Sequence, residues 1–195
     1  MVRTPKIVGI GGSLKAGSTS LTALQIALDA AEEAGGETEL FDVRAMDLPM
    51  FVPGITLDEA PQIARQLADS VCAAQGLLWS SPLYHGTVSG VFKNALDWLQ
   101  LLSDRDPPYL TNKVIGLIST AGGVQGLQAI NTMEFVVRAL RGWAVPMVLP
   151  IPAAWRIFED GRVIDAAVER QLHALGTEVV RAARQFATEG TCDYA

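Results

Sequence analysis

The residues with the clearest chemical purpose lie in the stretch Gly9-Ile-Gly-Gly-Ser-Leu-Lys-Ala-Gly-Ser-Thr-Ser20. Small and hydroxylic residues stand there between an apolar run and an amphipathic one, where a strand would hand over to a helix. Unsatisfied backbone N–H groups and the positive helix end attract an anion at such a junction. Ser13, Ser18, Thr19 and Ser20 add hydroxyls, and Lys15 adds a positive charge to a chain of net charge −6. The plain alternative is a Gly/Ser turn with a serine helix cap. Two phosphate-binding patterns nearly fit and then fail. After Gly12 and Gly17 a nucleoside-triphosphate loop needs Lys, and Ser18 stands in its place. Gly9 and Gly11 open a dinucleotide-binding pattern, but Leu14 takes the position of its third glycine. Asp42 could mimic that pattern's ribose-binding acid, so it is weakened and stays open. A loop suited to a terminal monophosphate remains.

A second stretch, Ser80-Ser-Pro-Leu-Tyr-His-Gly-Thr-Val-Ser-Gly-Val-Phe-Lys-Asn-Ala-Leu-Asp-Trp98, has the most specific composition. Pro82 and Gly86 shape a tight excursion with Tyr84 and His85 at its tip. An aromatic side chain beside exposed backbone amides suits a flat heterocycle better than a hydrolytic centre. His85 is a candidate proton carrier. A hydrolase is disfavoured because no Gly-x-Ser-x-Gly elbow occurs, and His173 is the only other histidine. Lys93, Asn94 and Asp97 fit capping or pairing on the following helix. A third stretch, Ser119-Thr-Ala-Gly-Gly-Val-Gln-Gly126, follows a β-rich run. Gly122 and Gly123 can adopt positive φ and let backbone N–H groups approach a ring edge; the alternative is a strand-to-helix turn with glycines for conformation alone.

The elements that must carry these loops alternate along the chain. Ile7–Ile10, Glu39–Val43, Gly76–Ser80, Lys113–Ser119 and Val145–Leu149 read as strands. Leu21, Leu24, Leu28 and Ala31 form one helical face, which ends near Gly35-Gly36. A helix is expected over about 58–74, and another where Val88, Phe92, Ala95, Leu99 and Leu102 recur. Ile130, Met133, Val137 and Leu140 mark the next, and Val168, Leu172, Leu175, Val179, Ala182 and Phe186 the last. Alternating strands and helices predict an α/β fold: a five-stranded parallel, doubly wound sheet with helices on both faces. Ligands then sit beyond the carboxyl ends of the strands. The three loops above lie there.

The 195 residues, with 49% hydrophobic and 18% charged, suit one domain with a core over about 6–187 and a tail at 188–195. An acidic chain has no electrostatic reason to bind nucleic acid or anionic lipid. Two cysteines, Cys72 and Cys192, have no metal-type spacing and do not read as a disulfide framework. With no signal peptide and no membrane-length apolar run, a reducing cytoplasm is expected. Trp98, Leu99, Leu101 and Leu102, with Phe135 on the neighbouring helix, suggest an apolar self-association surface. The alternative is burial under the 103–112 loop.

The second stretch resembles the Pro-x-Tyr-x-Gly-x-x-x-Gly-x-x-Lys-Asn-x-x-Asp segment of the NADPH-dependent FMN reductase family. The first loop resembles that family's Gly-Ser-Leu-Arg-x-x-Ser phosphate loop, and similarity runs from Ile7 to about Arg181. Ile130-Asn-Thr-Met and Ala154-Trp-x-x-Phe-Glu-Asp-Gly161 are also similar to arsenical-resistance flavoproteins of the same superfamily. The resemblance implies a flavodoxin-like three-layer sandwich, with Ser13, Lys15, Ser18 and Ser20, and Thr19 between them, at an FMN phosphate. It places Pro82, Leu83, Tyr84, His85 and Gly86 along the isoalloxazine, and Thr120, Ala121, Gly122 and Gly123 at its pyrimidine end. Lys15 stands where the family commonly has Arg, a point charge instead of a bidentate fork. Ser20 stands where relatives often carry Asn. The implied activity is electron transfer from NADPH or NADH through FMN to a small acceptor: free FMN, a quinone, an azo compound or a metal oxyanion. A homodimer or homotetramer and the absence of a metal go with it. Competing expectations are a flavodoxin-type carrier without turnover and a flavin-free nicotinamide dehydrogenase.

Overall fold

The apolar runs become buried strands and the amphipathic stretches become helices in the computed structural model, which describes residues 4–186 and the backbone of 193–194. In chain order these are β1 (Lys6–Gly11), α1 (Thr19–Glu33), β2 (Glu37–Asp42), α2 (Val43–Met46) and α3 (Gln62–Ala73). Next come β3 (Gly76–Tyr84), β4 (Thr87–Val88), α4 (Gly90–Asp97), a 3-10 turn (Trp98–Leu102) and β5 (Arg105–Asp106). The remainder is β6 (Val114–Thr120), α5 (Gly126–Ala139), β7 (Trp143–Ile151), α6 (Ala154–Ile157), β8 (Phe158–Glu159), β9 (Arg162–Val163), α7 (Ala166–Phe186) and β10 (Asp193–Tyr194).

The sheet runs β2-β1-β3-β6-β7, all parallel, and β4 adds a short antiparallel partner to β3. That is the order of a flavodoxin-like doubly wound sheet, whose switch point lies between β1 and β3. Alternate residues divide the core. Ile7, Leu78, Val114 and Ile118 face α1 and α7. Val8, Ile10, Leu77, Trp79, Ile115 and Leu117 face α3, α4 and α5. Helices α1 and α7 pack so closely that a Cβ at Gly176 would collide with the Ala27 carbonyl oxygen.

Several boundaries differ from the sequence expectation. The helix expected from about residue 58 starts at Gln62, because Pro61 supplies its N-cap and has no N–H to continue a turn. Val88 belongs to β4, and α4 starts only after Ser89, whose hydroxyl accepts from the Phe92 N–H at 3.3 Å. The same helix tightens to 3-10 geometry at Trp98. The second strand starts at Glu37, and Val43 leaves it because the Asp42 carboxylate caps α2, accepting from the Arg44 N–H at 3.0 Å.

The expected self-association patch is instead core. Trp98, Leu99 and Leu102 are almost fully buried within the chain. Trp98 packs on Ala60, Ala64 and Phe51 and donates its indole N–H to the Pro49 carbonyl at 2.9 Å. Asn94 fixes the same loop, donating to Pro49 O and accepting from Phe51 N–H, both at 2.9 Å. Phe135 does project outward from α5, 68% exposed. The cysteine expectation also changes: Cys72 is disulfide-bonded. The chain's other cysteine, Cys192, lies outside the described residues. A bonded Cys72 takes away the cysteine argument for a reducing compartment. Among the described residues, no helix is long and apolar enough to cross a membrane.

Candidate functional site

At the carboxyl edge of the sheet the chain must leave β1 close to β3. Gly11 permits this, since a Cβ there would strike the Ser80 carbonyl oxygen, and the Gly12 N–H donates to that oxygen at 3.1 Å. Gly12 then turns at φ +97°, a conformation favourable to glycine. Leu14 points away from the fold, 61% exposed, so no strand–helix contact of the dinucleotide type forms at that position. Ser13 is buried and accepts from the Lys15 N–H at 3.3 Å, which curls residues 13–15 into a small loop.

Helix α1 begins at this loop. Ser18 occupies its N-cap position, but its hydroxyl makes no capping bond. The first turn of α1 holds no acidic residue. Its unpaired N–H groups and the Ser18 hydroxyl are therefore uncommitted at the positive end of a 15-residue helix. Lys15 is exposed beside them and joins no ion pair among the described residues.

Three loops meet here through hydroxyls. Ser20 Oγ lies 2.6 Å from Thr120 Oγ1, Thr19 Oγ1 donates to Thr120 Oγ1 at 3.4 Å, and Ser80 Oγ donates to the Ser20 carbonyl at 2.8 Å. Ser20 is fully buried and its hydroxyl is occupied by Thr120, so it braces the cavity more than it offers a free donor. The loop after β6 is tied down in turn. Ala121 N–H donates to Ile151 O, and Ala154 N–H to Ala121 O, both at 2.9 Å.

Together these segments enclose a cavity of about 450 Å³, within the usual size range for a cofactor site. Of the residues expected at the site, Ser13, Lys15, Ser18, Thr19, Ser20, Pro82, Leu83, Tyr84, Thr120, Ala121 and Gly122 line it. His85, Gly86 and Gly123 do not. His85 and Gly86, at φ +49° and +85°, form the two-residue turn between β3 and β4, which lifts His85 off the cavity wall. Gly122 and Gly123 do not use the positive φ open to them, and nothing lies within 4 Å of an added Cβ at either.

The opposite wall was not anticipated. Gly17, Thr22, Ala154, Trp155, Phe158, Asp160 and Gly161 also line the cavity. Trp155 is 65% exposed, with the Arg156 guanidinium 4.4 Å from its ring centre. The stretch Ala154–Gly161 was legible as a family resemblance, but nothing in its composition shows that the chain folds it back over α1. A second cavity, about 520 Å³, opens at the other end of the sheet between α5 and the start of β7, beside Arg138, Arg141 and Trp143. Among the described residues, no group of three or more His, Cys, Asp or Glu could hold a metal ion.

The donor set fits a phosphate ester carrying a flat ring: amides, hydroxyls and one ammonium at one end, Tyr84 and Trp155 as aromatic surface along the walls. Known proteins resemble the chain in sequence and in fold. The chain is 34% identical over 127 residues to the NADPH-dependent FMN reductase ArsH of Acidithiobacillus ferrooxidans, covering 65% of this chain and 51% of that protein. It is 35% identical over 115 residues to an FMN-dependent NADPH-azoreductase of Staphylococcus aureus, covering 56% and 57%. It thus spans about half the length of the curated relatives it matches. The solved structure of FerB, a flavoenzyme NAD(P)H:(acceptor) oxidoreductase from Paracoccus denitrificans, shares the fold. Its TM-score is 0.72 at 21% identity, over 95% of this chain and 100% of that one. The model of one family matches residues 5–156, the whole central sheet and all three loops, and the chain therefore belongs to the NADPH-dependent FMN reductase family.

Proposed function

We propose that this chain binds FMN by its phosphate in the carboxyl-edge cavity and passes electrons from NADPH or NADH to a small acceptor. The observation that carries this reading is the uncommitted donor set at the start of α1: the Ser18 hydroxyl without a capping bond, the acid-free first turn, and unpaired Lys15. Bound FMN supplies the electron-transfer chemistry.

The residues supply position and charge. Ser13, Ser18, Thr19 and the amides of the α1 start would hold the phosphate, and Lys15 would balance its charge. Ser20 and Thr120 lock the α1 start to the end of β6, so the donors are arranged before the ligand arrives. Pro82, Leu83 and Tyr84 would pack against the ring, and Thr120, Ala121 and Gly122 would present backbone to its polar edge. His85, off the cavity wall, takes no proton-transfer part in this reading. The acceptor is small: free FMN, a quinone, an azo compound or a metal oxyanion. Support for this range comes from relatives that are an FMN reductase and an azoreductase.

Two further parts of the reading are a cytoplasmic location and self-association into a homodimer or homotetramer. The exposed Leu127 and Phe135 on α5 support the second; sedimentation analysis checks it. The function is tested by adding FMN to the purified protein and then NADPH without oxygen. A perturbed flavin spectrum followed by bleaching is expected. A flavin spectrum identical to that of free FMN would contradict the reading.

A further inference from the structure

The cavity lining carries one carboxylate. Its lining includes two charged side chains, Lys15 and Asp160, and all its other residues are neutral. A phosphate monoester carries close to two negative charges at neutral pH. We propose that Asp160 is a built-in like charge that opposes the phosphate, which keeps FMN exchangeable with solution instead of permanently held. The inference rests on the FMN reading above and concerns how tightly that site binds.

Asp160 reaches the cavity from far along the chain. The first turn of α1 has no carboxylate of its own, so the helix end is not neutralised from within. The carboxylate arrives instead on the β8–β9 hairpin. Phe158 pairs with Val163 and Glu159 with Arg162, leaving Asp160 and Gly161 as a two-residue turn. Their φ values, +48° and +75°, are those of a type I′ turn. Buried Phe158 anchors the hairpin in the core, where Ile157 and Val163 also pack, and the Ile164 N–H donates to Ile157 O at 2.8 Å. The carboxylate is thus held on a firm support.

The turn itself does not demand a carboxylate. Asn-Gly satisfies a type I′ turn at least as well as Asp-Gly. Asp160 also joins no ion pair among the described residues. A charge that neither the turn nor a salt bridge requires acts on whatever enters the cavity. Asp160 lines the same cavity as Lys15 and the α1 start, so its carboxylate reduces the positive potential that an entering anion meets. When the phosphate arrives, the two negative groups repel. Riboflavin, which lacks the phosphate, meets no such opposition.

The test is fluorescence titration of the apoprotein with FMN and with riboflavin at low and high ionic strength. Wild type is compared with Asp160→Asn, Asp160→Gly and Lys15→Ala. Both Asp160 variants should bind FMN roughly three- to tenfold more tightly at low salt, the scale of one exposed charge facing a dianion. FMN should also dissociate correspondingly more slowly. Riboflavin affinity should stay within about twofold, and high salt should erase the gain. Lys15→Ala should weaken FMN alone. Unchanged or weaker FMN binding by both Asp160 variants, in a wild type that still prefers FMN to riboflavin, would overturn the inference and leave the FMN reading standing. A gain confined to Asp160→Asn would overturn it too, by assigning the effect to a new amide hydrogen bond. A wild type that binds FMN and riboflavin equally, or neither, would bring down the reading beneath it.

Discussion

The two ends of the sheet have cavities of similar size, about 450 Å³ at the carboxyl edge and about 520 Å³ at the amino edge. Each end also has a lysine, and the two lysines are used in opposite ways. Lys113, at the amino edge, is buried and donates to the Cys72 and Ala74 carbonyls at 2.8 and 2.7 Å. Those oxygens end α3, where a helix leaves carbonyls unpaired. The arginines of the amino-edge cavity are likewise engaged: Arg138 faces Glu134 at 3.6 Å, and Arg141 lies 5.8 Å from the Tyr109 ring centre. At the carboxyl edge Ser18 does not cap and Lys15 has no carboxylate within ion-pair distance among the described residues. Volume alone therefore does not mark a ligand site. Donors that the fold leaves unspent do.

The sharpest way to break this contrast is Ser13→Asp. In the proposed site a carboxylate at this buried position would face the phosphate, and FMN affinity should fall by about 4 kcal/mol, close to a thousandfold. Fluorescence titration measures it, with riboflavin binding as the control for an intact fold. A variant that bound FMN normally would show that the phosphate lies elsewhere.

The opposite end should answer to pH and not to flavin. Burial pushes the Lys113 ammonium down to about 8. Between that value and the ordinary lysine value of about 10.4 the unfolded chain binds more protons than the folded one. The contribution of Lys113 to stability therefore rises with pH across that window. Below it, the cost of burying the charge applies in full. The rise is about 3 kcal/mol at most, since the two carbonyl acceptors favour the charged form. Denaturant unfolding at pH 7 and pH 10 should show a shallower pH dependence for Lys113→Met than for wild type, with FMN affinity unchanged.

Smaller effects refine the carboxyl edge. Thr120→Val removes the partner of the Ser20 and Thr19 hydroxyls and should cost about 1–2 kcal/mol of stability, read from a denaturation midpoint. It should weaken FMN less than Ser13→Asp does. His85→Ala should change FMN affinity by less than about twofold, because the side chain is exposed on a turn beyond the cavity. A large loss in that variant would bring His85 back into the site.

The sheet and its loops were legible because their signals are local. Buried β-rich runs such as Lys113–Ser119 and the stripe of Leu172, Leu175 and Val179 announce their elements by periodicity alone. The loop at Gly9–Ser20 announces its chemistry by composition. What escaped depends on contacts between distant segments. Trp98 looked like surplus apolar surface because the loop that covers it, at Pro49 and Phe51, is about fifty residues away in sequence. Trp155, Phe158 and Asp160 carried a family resemblance but no sign of a place at the cavity, because only the packing of Phe158 in the α1–α7 core brings them there. His85 differs from expectation in the other direction. It sits in the right stretch, but the turn between β3 and β4 carries it away from the wall.

Amide NMR of the protein titrated with FMN tests most directly whether uncommitted donors locate the ligand. The largest shift changes are expected at Ser13–Thr19, Thr120–Gly122 and the Trp155 indole, with little change from Arg138 to Pro146. Changes centred on the arginine-rich cavity, with the α1 start undisturbed, would contradict the assignment of the site.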